Sequence, residues 1–102
     1  MESYLAPLLS HNILYCEADS NYTIIHYHQG FKKVICKTLK VIEGHLASSS
    51  FLRIHHKYLV NKEALVAIDE NKTSVTVSNG VKLLIARRRK KVLRLIDVKI
   101  ST

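Results

Sequence analysis

A chain of 102 residues has room for one domain and one core, and its 47% apolar content is that of a globular protein rather than a disordered one. Sixteen Lys and Arg against eight Asp and Glu leave a formal charge of +8, which ranks nucleic acid, anionic membrane and acidic proteins first as partners. No apolar run nears the length of a bilayer span and residues 1–9 do not read as a secretory signal, so a soluble, cytoplasmic protein without a membrane partner is expected.

Residues 12–17 (NILYCE) and 22–28 (YTIIHYH) are rich in β-branched and aromatic side chains and read as strands, separated by the turn chemistry of Ala18-Asp19-Ser20-Asn21. Gln29-Gly30 leads to a third strand at 32–37, in which Val34 and Cys36 alternate with Lys33, Ile35 and Lys37. From 38 to 46 the period changes. Leu39, Ile42 and Leu46 stand at i, i+3 and i+7, one face of a two-turn helix with Thr38 as its N-cap, and Ser48-Ser49-Ser50 closes the segment as loop.

Extended patterns resume at 51–54 and 58–60, then at 65–68 and 74–77 across Asp69-Glu70-Asn71-Lys72. Asn79-Gly80 is the strongest hairpin signal in the chain, joining 74–77 to 81–85. The basic run Arg87-Arg88-Arg89-Lys90-Lys91 leads into Val92, Leu93, Leu95 and Ile96, which reads as a last helix with Ile85, Val92 and Ile96 on one face. The expected fold is mainly β, many short strands with short helices, one of them C-terminal. It forms a single domain over 1–102 without repeats or linkers.

With Arg94, the basic run gathers six of the sixteen Lys and Arg into eight positions. A charge run is commonly just a solvated face. Five consecutive like charges, however, repel one another and do nothing for a helix, so a polyanion is the simplest compensating partner. The histidines give little. His26 and His28 share a strand face, His55 and His56 point to opposite faces if extended, and neither pair has the acidic or Cys partners of a zinc site at short spacing. No metal and no cofactor are expected, and His26 and His28 read as polar residues of the sheet surface. Cys16 and Cys36 read as reduced, half-buried thiols. No nucleophile elbow or phosphate-binding Gly-rich loop is present, and Asp19, Glu43 and Glu63 have no visible partner, so no catalytic residue is assigned. More specific is the stretch from Phe51 to Asn61. There Arg53, His55, His56 and Lys57 form a donor-rich loop between apolar anchors, suited to phosphates or a guanine edge.

Taken together, Ile13-Leu14-Tyr15-Cys16-Glu17-Ala18 with Asn21-Tyr22, Thr38-Leu39-Lys40 with Leu46, Phe51-x-Arg53-x-His55 through Tyr58-x-Val60-Asn61, and Ala86-Arg87-Arg88 resemble the ordered signatures of the LytTR domain. The matching region is about residues 12–96, with 1–11 and 97–102 as flanks. The resemblance implies an elongated β fold and sequence-specific binding of double-stranded DNA in bacterial transcription regulation, as the output half of a response regulator. Loops and the start of the last helix would contact successive major grooves and phosphates.

Carried over by position, the contacting residues are Asn21 and Tyr22, His56 and Lys57, and Arg87 and Arg88, with Arg89 and Lys90 continuing the basic run. His55 and Asn61 would orient the loop through hydrogen bonds, and Arg53 fits either role. Affinity would come largely from phosphate neutralisation by Lys57, Lys62, Arg87, Arg88, Arg89 and Lys90. The chain departs from the family pattern at Lys57 and Ala86, where Ser is common. The family has further strand residues before Ile13; either residues 1–10 supply part of that edge or the chain is an excised fragment. Resemblance also implies a second copy on paired DNA repeats and an upstream receiver domain, which this sequence does not contain. Two other readings compete with duplex binding. One is a protein-interaction module docking an acidic partner through its basic surface. The other is RNA or single-strand binding, which would need Tyr22, Tyr27 and Tyr58 to stack on bases.

Overall fold

The computed structural model of the chain describes residues 12–46, 50–95 and 100–101. The expectations for residues 1–10, for Ser48 and Ser49, for Ile96 and for the side chains of Leu93, Arg94 and Leu95 lie outside what is described. The strands are β1 (Ile13–Asp19), β2 (Tyr22–Tyr27), β3 (Lys32–Ile35), β4 (Phe51–His55), β5 (Tyr58–Asn61), β6 (Leu65–Asp69), β7 (Ser74–Val77), β8 (Lys82–Leu84) and β9 (Ile100–Ser101). One α-helix, α1 (Leu39–Leu46), follows β3; a 3₁₀ turn (Lys62–Ala64) follows β5 and a 3₁₀ helix (Arg87–Leu95) follows β8. Five strands form one sheet in the order β3-β2-β1-β5-β4, and four form a second in the order β8-β7-β6-β9. The fold is mainly β, as expected, and its principal extents are 47 × 27 × 23 Å.

The unbroken apolar run Ile13-Leu14-Tyr15-Cys16 is buried at all four positions because β1 lies in the middle of the larger sheet and is covered on both faces. A strict strand alternation would send Leu14 and Tyr15 to opposite sides. The register against β2 shifts between Ile13 and Tyr15, and this irregularity puts both on one face. Leu14 and Tyr15 join Ile54, Val60, Leu65, Ile68, Val75, Val77, Leu83 and Ile85 in a core that includes the second sheet. Ile13 and Cys16 join Ile25, Tyr27, Ile35 and Leu59 on the other side, beneath α1. The helix contributes Leu39, Ile42 and Leu46, the face that its spacing predicts, each stabilising by about 1.5–3 kcal/mol on burial. Thr38 starts it, its carbonyl accepting from Ile42 N–H at 3.1 Å and its hydroxyl from Val41 N–H at 3.5 Å.

Three expectations are corrected. In β3 the inward residue is Ile35, 5% exposed, while Val34 is 60% exposed, because pairing with β2 sets Ile35 opposite buried Thr23. The cysteines are not alike: Cys16 is fully buried, which pushes its thiol up to about 12, and Cys36 is exposed past the end of β3. The last helix is 3₁₀ rather than α, and Ile85 precedes it, buried in the inter-sheet core against which Val92 packs.

Turns and a buried amide hold the frame. Asn61, 7% exposed, donates from Nδ2 to Ile13 O at 2.9 Å, and its Oδ1 accepts from Ser50 Oγ and from Glu63 N–H, both at 3.0 Å. It thus ties β1 to the start of β4 and caps the turn that leads into the second sheet. At the β7–β8 hairpin Gly80 takes φ +91° and Asn79 Oδ1 accepts from Val81 N–H at 3.1 Å, the turn chemistry foreseen for Asn-Gly.

Candidate nucleic-acid interface

Antiparallel pairing of β1 with both β2 and β5 brings two loops to one end of the larger sheet. Asp19 pairs with Tyr22 across the two-residue turn of Ser20 and Asn21, and Ser20 takes the positive φ of 55° at its first central position. On the other side of β1, Glu17 pairs with Tyr58, and Ala18 N–H donates to Lys57 O at 2.8 Å. With two strand spacings between them, the two hairpin tips stand about 10 Å apart. Asn21 and Tyr22 are exposed on the first tip, His56 and Lys57 on the second.

The third segment is fastened beside the second tip. Ala86 N–H donates to Ile54 O at 2.8 Å, and the first 3₁₀ turn closes from Arg89 N–H to Ala86 O at 2.8 Å. Between this helix and the β4–β5 loop runs a groove of about 460 Å³ lined by His56, Ala86, Arg88, Arg89, Lys91 and Val92. Ala86 contributes only a methyl to this groove, without a polar group of its side chain.

The helix type decides which cations face out. At three residues per turn, Arg89 and Val92 share a face, and both are half-buried; Arg88 and Lys91 share another, and both are exposed. Arg89 Nη1 reaches Arg53 O at 3.5 Å, and Lys90 Nζ donates to Asn71 O at 3.2 Å in the β6–β7 turn. Arg87, Arg88 and Lys91 are therefore the outward cations of the run, while Arg89 and Lys90 also engage the protein. Lys91 was not among the contact residues read from the sequence. The periodicity that would have added it is that of a 3₁₀ helix, which nothing in the composition announces. Lys62 sits at the opposite end of β5 from the loop, about 13 Å of strand away, and does not join the group.

The loop at 56–57 is held from behind. Arg53 Nε donates to His55 O at 2.9 Å, its Nη2 to His56 O at 2.7 Å and its Nη1 to Glu43 Oε1 on α1 at 2.6 Å. Glu43 thus has the partner that its sequence context did not show. Lys57 N–H donates to His55 Nδ1 at 3.1 Å, which requires that nitrogen to be unprotonated. Burial first, then the neighbouring His56, Lys57 and Arg53, hold the His55 pKa below the ordinary imidazole value, favouring that neutral form. His55 also packs its ring 5.5 Å from Tyr58, whose ring meets Tyr15 edge-on at 6.2 Å.

The other histidines are placed differently from expectation. His26 is not a free surface residue: it stacks on Tyr15 at 4.3 Å and its Nε2 lies 2.9 Å from Glu17 Oε1. His28 lies past the end of β2, exposed, 3.4 Å from Ser78 Oγ. Among the described residues no three His, Cys, Asp or Glu side chains are grouped to hold a metal ion, and no helix is long and apolar enough to cross a membrane. Of the three tyrosines considered for base stacking, Tyr27 is buried and stacks on Phe31, Tyr58 is half-buried and Tyr22 alone is exposed.

Comparison with solved structures gives a LytTr DNA-binding domain from Bacillus cereus, superposing with a TM-score of 0.72 over 82% of this chain and 79% of that one at 21% identity, a likeness of fold. No curated protein sequence matches the chain. The family profile described as the LytTr DNA-binding domain matches residues 5–96. The chain belongs to the LytTr DNA-binding domain family: it is a domain that binds DNA in transcription regulation, and it is not an enzyme.

Proposed function

We propose that the domain reads double-stranded DNA in a sequence-specific way with the loop end of its larger sheet. The observation that carries this is the meeting of three segments at that end, two hairpin tips and the start of the 3₁₀ helix, with exposed Lys57, Arg87, Arg88 and Lys91 and no exposed acid in the groove lining. Asn21, Tyr22, His56 and Arg88 are the candidates for base edges. Lys57, Arg87, Arg89, Lys90 and Lys91 are candidates for phosphates, with Arg89 and Lys90 partly occupied by protein carbonyls.

Lys57 in place of a common Ser adds a charge to the second tip, favouring affinity over hydroxyl-mediated positioning. The B. cereus relative is described as the DNA-binding domain of a methyl-accepting/DNA response regulator, in keeping with an output role here. A cytoplasmic location, an upstream receiver domain and a second copy on paired repeats belong to this proposal. The test is selection of duplexes from a random pool, then titration of an enriched and a scrambled duplex at two salt concentrations. Preference for the enriched duplex, with affinity falling steeply in salt, is the expected result. Failure to bind any duplex at low salt would refute the reading and leave docking of an acidic protein in its place.

A further inference from the structure

We infer that Arg53 and Glu43 form a clamp that positions the β4–β5 loop for DNA and that Arg53 itself does not touch the nucleic acid. The inference rests on the reading that this loop contacts DNA. In the sequence, an arginine between two apolar anchors and next to two histidines looks like one more cation for a phosphate. The structure spends it otherwise. Its side chain is 13% exposed, and all three guanidinium nitrogens are engaged: Nε and Nη2 with the carbonyls of His55 and His56, Nη1 with the Glu43 carboxylate.

The planar fork is what makes this arrangement possible. Two carbonyls one residue apart can both accept from one guanidinium only if the chain turns back around it, so the bonds fix the direction in which the His56 side chain leaves the loop. Glu43 sets the fork from the other side. It stands on α1, whose Leu39, Ile42 and Leu46 are seated in the core, so the carboxylate is a rigid reference point. The Arg53 carbonyl in turn accepts from Arg89, so the same residue touches the 3₁₀ helix that walls the groove. Helix α1, loop and groove wall therefore meet at one residue, the first two through its side chain and the third through its carbonyl.

The consequence has a sign opposite to simple electrostatics. Removing an acid near a DNA-binding surface should tighten binding, because one repulsion of phosphate disappears. Removing Glu43 should weaken it, because the fork loses its anchor and the loop its direction. In the full chain, Glu43→Gln is expected to bind an enriched duplex at least about threefold more weakly, the scale of losing part of one charge-assisted hydrogen bond. It should also narrow the gap to a scrambled duplex. Glu70→Gln, which removes an exposed acid in the β6–β7 turn, serves as the reference and should bind as well as the parent or tighter. Arg53→Lys keeps the charge but cannot span three acceptors, and is expected to lose as much affinity as Arg53→Ala. Hydrogen exchange gives the local readout: the Lys57 amide, bonded to His55 Nδ1, should exchange faster in Glu43→Gln while the amides of β1 and β5 keep their protection.

Tighter binding by Glu43→Gln, or parental affinity in Arg53→Lys, overturns the clamp and makes Arg53 a direct contact. Weakening that is equal for both duplexes and comes with faster exchange in β1 and β5 overturns it as well, since the fold as a whole has then loosened. His56→Ala and Lys57→Ala separate this from the reading beneath it. If neither changes binding to either duplex, the loop does not meet DNA, and that reading falls.

Discussion

Lys91→Ala tests the groove most directly, because only the three-residue period of the last helix assigns that side chain to the surface proposed to meet DNA. The outward cations at the loop end are Lys57, Arg87, Arg88 and Lys91, none with a hydrogen-bond or ion-pair partner on its side chain among the described residues. If Lys57, Arg87 and Lys91, the three of these assigned to phosphates, each neutralise one, counterion release gives a slope of log affinity against log salt near −2.7, so binding weakens about 40-fold between about 50 and 200 mM salt. Removing Lys91 lowers the slope to about −1.8 and the loss over the same range to about 12-fold. The ratio between enriched and scrambled duplex should stay unchanged, since a phosphate contact carries no sequence information. Fluorescence anisotropy titrations at four or more salt concentrations on both duplexes measure slope and ratio together. A parental slope in Lys91→Ala would show that the groove does not face phosphate. A slope drop accompanied by lost discrimination would instead make Lys91 a base reader.

Three further substitutions and one pH series address other parts of the site. Arg88→Ala is expected to cost about 1–3 kcal/mol of discrimination, the worth of a bidentate guanine contact, measured as the ratio of dissociation constants for the two duplexes; an unchanged ratio assigns Arg88 to the backbone. Lys90→Ala is expected to weaken both duplexes alike, by less than Lys91→Ala, because its ammonium already serves the Asn71 carbonyl, and any change in the ratio would contradict this. Asn61→Ala leaves the buried Ile13 carbonyl and the Glu63 amide without their partners, and should lower stability by about 2–3 kcal/mol in denaturant titrations; a loss under about 0.5 kcal/mol would mean that water replaces the amide. For His55 the folded pKa is depressed, so the unfolded chain binds the proton more readily. The contribution of neutral His55 is complete above the ordinary imidazole range and is lost as pH falls through that range towards the lower folded value. Thermal melts from pH 8 downward should show a decline that His55→Gln reduces, and parallel curves for both proteins would refute the role of the Lys57 N–H bond.

How much of this was legible in the sequence depends on the length scale of the signal. The α1 face of Leu39, Ile42 and Leu46 and the hairpin at Asn79 and Gly80 rest on spacings within eight residues, and both stand as read. β3 was misread because four alternating residues show which pairs share a face but not which face is inside. That was decided by pairing with β2, through Thr23 opposite Ile35. β1 hid a register irregularity for the same reason: four apolar residues in a row fit a strand buried on both sides without showing where the ladder slips. The partner of Glu43 was out of reach, ten residues away on an element whose direction the sequence does not fix.

The last helix shows why the site was only partly visible. An α-helical period groups Ile85 with Val92 and scatters the cations evenly around the rest. The inter-sheet core takes Ile85 before the helix begins, and Ala86 is bonded to the end of β4, so the helix must start close against that strand. The tighter 3₁₀ winding then pairs half-buried Arg89 with Val92 and exposed Arg88 with Lys91, all four along the groove wall. Five adjacent cations are thereby sorted into those that also bond the protein, Arg89 and Lys90, and those left exposed, Arg87, Arg88 and Lys91. The sorting follows from where the helix is anchored rather than from its residues. Lengthening the segment between Ile85 and Ala86 by one glycine should therefore disturb recognition without altering a single charge: retained discrimination in that variant would show that the anchor does not set the register of the basic run.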